Sequence, residues 1–194
     1  MKRTVTIIVV VALVAAVAFW FIGKYNAMVT AEENVTTAWS HVENQYQRRA
    51  DLVPNLVATV KGYAAHESQV FENVTEARAK ATQMTLSADA TPEQLMAYQT
   101  AQGELSQALG RLLALAERYP DLKANQNFLE LQSQLEGTEN RITVARNAFN
   151  EAARTYNILI RKFPNNIAAK LFGFEQKAYF EADEGAEKAP EVAF

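Results

Sequence analysis

Residues 128–163 read FLELQSQLEGTENRITVARNAFNEAARTYNILIRKF. Within them Phe128, Leu131, Leu135, Thr138, Ile142, Ala145, Phe149, Ala152, Tyr156, Leu159 and Phe163 follow one another by alternating steps of three and four. That is a heptad seam held for about five repeats, and it predicts one long amphipathic helix. Pro164 blocks its continuation, and Asn165-Asn166 suits a turn.

Working backward, a second seam runs Leu95, Tyr98, Gln102, Leu105, Leu109, Leu112, Ala116, Tyr119 and stops at Pro120. It opens on Thr91-Pro92-Glu93-Gln94, where Thr91 suits the N-cap, Pro92 the first helical position and Gln94 a capping box. A third seam runs Val53, Leu56, Val60, Tyr63, Glu67, Val70, Val74, Ala77, Ala81, Met84, with Asp51 able to cap its start. A fourth holds Met28, Val35, Trp39, Val42 and Tyr46, in phase with the third across Pro54. Two readings stay open. The chain reverses near residues 49–53 and builds four antiparallel helices, or one long helix continues through a kink at Pro54. The expectation carried forward is an all-α, antiparallel up-and-down bundle of four helices over residues 25–164. Residues 165–194 form a partly irregular aromatic and acidic tail.

Ahead of the bundle lies an apolar block from Val5 to Ile22, interrupted only by Thr6. At roughly 1.5 Å per residue it spans about 27 Å, close to the ~30 Å hydrocarbon core of a bilayer. Lys2 and Arg3 precede it; Phe19, Trp20, Phe21 and Tyr25 mark its far end, where aromatic rings favour the interface. A cleaved signal has a shorter apolar region, so residues 1–24 read as a retained transmembrane anchor. The basic residues at the N-terminus favour a cytoplasmic start, with the bundle on the extracytoplasmic side of a bacterial inner membrane.

Charge and composition exclude several functions. Setting aside Lys2, Arg3 and Lys24 leaves 16 basic against 22 acidic residues, the reverse of a nucleic-acid binder. There is no cysteine, hence no disulfide, thiolate metal site or Cys nucleophile. Only 7 Gly and 5 Pro argue against a turn-rich β fold.

Several blocks resemble the LemA family of bacterial membrane-anchored helical proteins. They are Tyr25-Asn26, Ala38-Trp39-Ser40, Gln47-Arg48-Arg49-Ala50-Asp51-Leu52-Val53-Pro54-Asn55-Leu56-Val57 and Val60-Lys61-Gly62-Tyr63-Ala64-Ala65-His66-Glu67. Further on stand Ala116-Glu117-Arg118-Tyr119-Pro120-Asp121-Leu122-Lys123-Ala124-Asn125, Leu135-Glu136-Gly137-Thr138-Glu139-Asn140-Arg141-Ile142, Ala145-Arg146, Tyr156-Asn157, Phe163-Pro164 and the ending Pro190-Glu191-Val192-Ala193-Phe194. The resemblance covers nearly the whole chain. It implies a short N-terminal membrane helix and an antiparallel bundle, a link to the cell envelope and to neighbours such as membrane metalloproteases, and little defined chemistry.

Candidate chemistry is sparse. His41 and His66 lack the partner four residues away that a helical zinc site needs, and Glu-x-x-His does not occur. Glu67, Gln102 and Thr138 occupy seam positions, as does Arg49 if the phase persists; a polar layer that sets helix register accounts for them. Arg48-Arg49-Ala50-Asp51 fixes a helix junction or meets lipid or a partner. The tail keeps Phe172, Phe174, Tyr179, Phe180, Val192 and Phe194, more aromatic than a solvated tail, and these pack on their own bundle or on a neighbour. The reading is a non-enzymatic scaffold or adaptor without cofactor or metal, self-associating, with the bilayer and an envelope membrane protein as partners. The alternative is an accessory subunit of an envelope protease, or a bundle holding metal through His41 and His66.

Overall fold

The computed structural model describes residues 2–181, and among them the chain is helical with no strand. Helix α1 covers Lys2–Lys61, α2 Ser68–Gln83 and α3 Pro92–Ala114. A 3-10 turn (Leu115–Arg118) and the short α4 (Pro120–Lys123) lead into α5, Gln126–Arg161, and α6, Asn165–Phe172. Thr91 caps α3 with the capping box that its sequence predicts, and Asn125 caps α5 through Phe128 N.

The long helices α1, α2, α3 and α5 run up, down, up and down. Arg78 on α2 reaches Ala50, Gln102 on α3 reaches Arg49, and Glu139 then Tyr156 on α5 meet Arg49 then Glu32 on α1. The four-helix bundle thus forms, but its first reversal is not at residues 49–53. Helix α1 passes through Pro54 and turns only at residues 62–67, where Tyr63 N and Ala64 N both donate to Val60 O. Asp51 therefore caps nothing; it lies inside α1 and accepts from Gln47 Nε2.

Pro54 is tolerated for two physical reasons. Its ring is on the exposed face of α1, while Val53 and Leu56 stay buried. Proline also has no N–H for the carbonyl four residues back. That carbonyl belongs to the buried Ala50, and Arg78 Nε donates to it at 2.9 Å in place of the missing amide.

The core divides into two apolar clusters. The upper one, far from the apolar segment, gathers Val53, Leu56, Val60, Leu105, Leu109, Leu112 and Leu135. The lower one gathers Met28, Trp39, Tyr46, Tyr98, Phe149, Tyr156 and Phe180. On α5 the seam holds to Phe149 and then slips: Ala153, Tyr156, Asn157 and Ile160 are buried, while Phe163 is 81% exposed. A straight helix drifts about 20° per heptad from a strict repeat. Here the drift turns α5 toward α6 and the tail.

Helix lengths explain why a tail is needed. Helix α2 has 16 residues and α5 has 36, about 24 Å against about 54 Å of rise. Helices α2 and α3 cover only the upper part of the α1–α5 pair. Below them the cover comes from the loop over residues 84–91, from α6 and from residues 173–181.

Candidate functional site

Where the two clusters meet, Arg49 is buried to 2% exposure. Its Nη2 donates to Gln102 Oε1 (2.6 Å) and Gln102 O (3.0 Å), and its Nη1 donates to Glu139 Oε1 (2.7 Å) and Ser106 Oγ. The guanidinium also lies 5.1 Å from the Tyr46 ring. Gln102 Nε2 completes the link by donating to Ala81 O on α2, so one side chain of α1 ties α2, α3 and α5 together. A buried cation persists only when its donors are met. Four of the five donors are satisfied in this way, while Nε has no partner among the described residues.

Gln102 therefore belongs to a polar layer, and Arg49 is its centre. Thr138 is fully buried but donates to Gln134 O of its own helix. Glu67 lies elsewhere, in the turn before α2, where it accepts from Tyr119 Oη (3.2 Å) and pairs with Arg118 at 3.1 Å. Helix α1 runs unbroken through residues 48–51, so the basic cluster is no helix junction, and Arg48 is exposed. A cleft of about 670 Å³ opens over the layer, lined by Arg49, Gln99, Ser106, Glu139 and Arg146 among others. Neither histidine lines it. His41 lies twenty residues before the end of α1, roughly 30 Å of helix, and His66 lies beyond that end, so one ion cannot reach both. No group of three or more His, Asp or Glu suited to a metal occurs among the described residues.

The second constellation is the tail. Residues 174–181 are non-helical and run back up beside α1 and α5. Buried extended backbone must find hydrogen-bond partners. Three carboxamides supply them, each serving one N–H and one C=O: Asn157 for Lys177 (2.9 and 2.9 Å), Asn150 for Phe180 (2.9 and 3.0 Å) and Gln99 for Glu181 (3.3 and 3.0 Å). Asn150 and Asn157 are seven residues apart, about 10.5 Å of helix, which matches about 10 Å for three extended residues. Phe180 stacks on Trp39 at 5.9 Å and meets Phe149 edge-on at 5.5 Å. Trp39 Nε1 in turn donates to Leu86 O of the loop.

Lys177 is buried and paired with Glu32 (2.6 Å) and Asp89. Burial pushes its ammonium down, but the hydrogen bonds it donates to Asp89 and Glu32 outweigh that and hold the group above its ordinary value. Burial, then the Glu32 charge, push the Tyr156 phenol up to about 12. Tyr98 is raised too, by burial first and then by Tyr46 and Glu43.

The remaining aromatic candidates divide by position. Phe172 meets Tyr25 at 5.0 Å and Phe21 at 6.4 Å, and Phe174 meets Tyr25 at 5.7 Å. Phe172 and Tyr179 keep 43% and 44% of their surface exposed, whereas Phe180 is enclosed by its own bundle. Val192 and Phe194 lie outside the described residues. Sequence reasoning missed Lys177, Asn150 and Asn157, whose only signal was their presence near a seam or among aromatics.

The apolar segment itself is the only helical stretch among the described residues long and apolar enough to cross a membrane, and none of it is buried by the rest of the chain. Val5 and Ile22 are exposed, and Trp20 is half-buried against Phe21, 5.0 Å away, with Lys24 Nζ 5.7 Å from its ring. An uncovered apolar span running unbroken into a four-helix bundle defines a membrane-associated helical-bundle protein.

The chain belongs to the LemA family, whose model matches residues 38–194. It is 31% identical to magnetosome protein MamQ 1 of Paramagnetospirillum magneticum, over 90% of this chain and 71% of that protein. Magnetosome protein MamQ of Magnetospirillum gryphiswaldense is 30% identical over 92% and 73%. Protein LemA of Metamycoplasma hominis is 23% identical over 86% and 73%.

Proposed function

We propose that this protein is a membrane-tethered, non-enzymatic scaffold or adaptor of the bacterial cell envelope, working by contact. One observation carries the reading: α1 is a single helix from Lys2 to Lys61, so the segment that fits a bilayer and the first bundle helix are one rod. No Gly- or Pro-rich joint separates them, and Phe172 and Phe174 brace the junction at Phe21 and Tyr25. A rod braced in this way holds its bundle at a set orientation, which suits an array better than a freely diffusing catalyst. Two of the relatives are named as magnetosome proteins, which supports a membrane-associated role.

In this reading residues 5–22 anchor the protein once in the cytoplasmic membrane, with the bundle on the extracytoplasmic side. Copies of the chain associate, and an envelope membrane protein is a further partner. The test is crosslinking in intact cells from a single cysteine at the exposed Val144 on α5. Covalent homo-oligomers, or a captured envelope protein, are expected, and an impermeant thiol reagent should label the site from outside the cytoplasmic membrane. A protein that stays monomeric and captures nothing overturns the scaffold reading.

A further inference from the structure

We infer that α6 is a second, interfacial membrane contact: a short amphipathic helix that lies on the bilayer beside the point where α1 leaves it. This rests on the anchor reading above and deepens it. Three observations converge. The first is position. Phe172 at the end of α6 packs on Phe21 and Tyr25, which bracket the end of the apolar segment at Ile22. The chain then turns at Gly173, whose φ of 78° is left-handed, and climbs away past Tyr25, Glu32 and Trp39. Helix α6 is therefore the lowest part of the bundle and sits level with the membrane boundary.

The second observation is an apolar face that no described residue covers. Helix α6 turns Asn165, Ala168 and Ala169 inward and leaves Ile167 at 53% and Leu171 at 69% exposed, one turn apart on its outer side. Phe163 precedes them at 81%, the most exposed large apolar side chain of the described residues. Scattered exposed apolar residues are ordinary, but Ile167 and Leu171 form a stripe along the outer face of α6, and Phe163 adds an exposed ring in the turn that leads into it. The third observation is charge. Residues 155–174 carry Arg161, Lys162 and Lys170, all exposed, and no acidic residue. Lys24 stands at the same level on α1, and Glu175 is the first acid beyond the helix. An apolar stripe flanked by basic residues is the pattern of a helix that rests in the headgroup region and favours anionic lipid. Burying the stripe in lipid would also fix rotation of the rod about its own axis, which one spanning helix leaves free.

The chain has no cysteine, so single labelling sites are unique. Full-length Ile167→Cys and Leu171→Cys proteins, carrying an environment-sensitive fluorophore, would be reconstituted in phosphatidylcholine–phosphatidylglycerol vesicles. Val144→Cys, exposed on α5 far from the span, is the control. Both α6 labels should shift to the blue and lose at least about half their emission to lipids spin-labelled near the headgroup, whereas the control should not. The Trp20 emission of a Trp39→Phe background reads the anchor independently. Quenched Trp20 with unquenched α6 labels overturns the α6 proposal while sparing the anchor. Unquenched Trp20 overturns the anchor and with it this proposal. Disulfide pairing between Ile167→Cys copies without lipid quenching places a second copy on the face and also overturns it. A Phe163→Ser/Ile167→Ser/Leu171→Ser variant changes only exposed side chains. It should keep its helical signal, and a label at the exposed Asn166→Cys, quenched by headgroup spin-labelled lipid in the parent, should lose most of that quenching in the variant; undiminished quenching overturns the role given to the apolar side chains.

Discussion

The two halves of the bundle reach a closed core by different means. The upper half is four helices filled by Leu and Val, packed as a heptad pattern prescribes. The lower half is built on two long helices, α1 and α5, with only the first turns of α3 (Leu95, Tyr98) reaching into it, and completes itself with a loop, an eight-residue helix and an extended strap. Its core is accordingly aromatic. Trp39, Phe149 and Phe180 are large enough to span a gap that regular helix packing does not close. Secondary structure supplies its own backbone hydrogen bonds, whereas a strap must borrow them from side chains. That is why the carboxamides of Asn150, Asn157 and Gln99 line the path of the strap.

The contrast yields tests of graded size. Phe180→Ala removes the ring that closes the lower half and should cost about 3–5 kcal/mol in denaturant unfolding. Hydrogen exchange should localise the loss to α6, the tail and the lower part of α5, leaving α2 protected. Equal loss in both halves would show that they are one cooperative unit. Arg49→Ala empties the layer that joins the halves, leaving Gln102 and Ser106 without their buried donor. About 3 kcal/mol of destabilisation is expected, spread over both halves. Arg49→Met, which fills the space without charge, should recover much of it.

A smaller effect concerns the upper half alone. Arg78→Ala strips the substitute donor from Ala50 O and should cost about 1–2 kcal/mol. In a Pro54→Ala background the restored amide serves that carbonyl, and the same substitution should cost little. A double-mutant cycle measures the difference, and additivity would break the link between Pro54 and Arg78. The smallest effect is alkaline. Lys177, Tyr98 and Tyr156 all have folded-state values raised above their ordinary ones, and all belong to the lower half. Groups of that kind contribute fully below their unfolded values and lose the contribution as pH rises through the folded ones. Stability should hold to about pH 10 and fall between there and about 12, the value for Tyr156, with the lower half opening first. Circular dichroism together with Trp39 fluorescence would follow it.

Much of the upper half was legible in the residues. The α3 seam from Leu95 to Leu112 is buried as its spacing predicts, and Thr91 with Gln94 marks its start. The misreading there is instructive. The phase from Val53 to Met84 continues across residues 62–67, so periodicity alone ran one helix through a reversal. Pro54 drew the break toward itself because nothing local reveals that Arg78 answers for its missing amide. In the candidate polar layer, Gln102 could be placed from its seam position. Arg49 depended on whether the phase survived Pro54, and Glu67 fell in the pattern because the phase runs on across the reversal at residues 62–67. The tail was the least legible part, since Lys177, Asn150 and Asn157 follow no period.

Sequence by itself determined what short-range chemistry determines: an apolar run long enough for a bilayer, helices with marked caps and stripes, and the exclusion of thiol chemistry. Tertiary structure alone decided where α1 ends, which polar residues meet, and that Lys177 and Phe180 of the tail are buried in the bundle. These depend on groups far apart in the chain, Arg78 with Ala50, Glu139 with Arg49 and Phe180 with Trp39. A carbonyl or a charge accepts any partner of suitable geometry, so no local pattern in the residues specifies which one it will find.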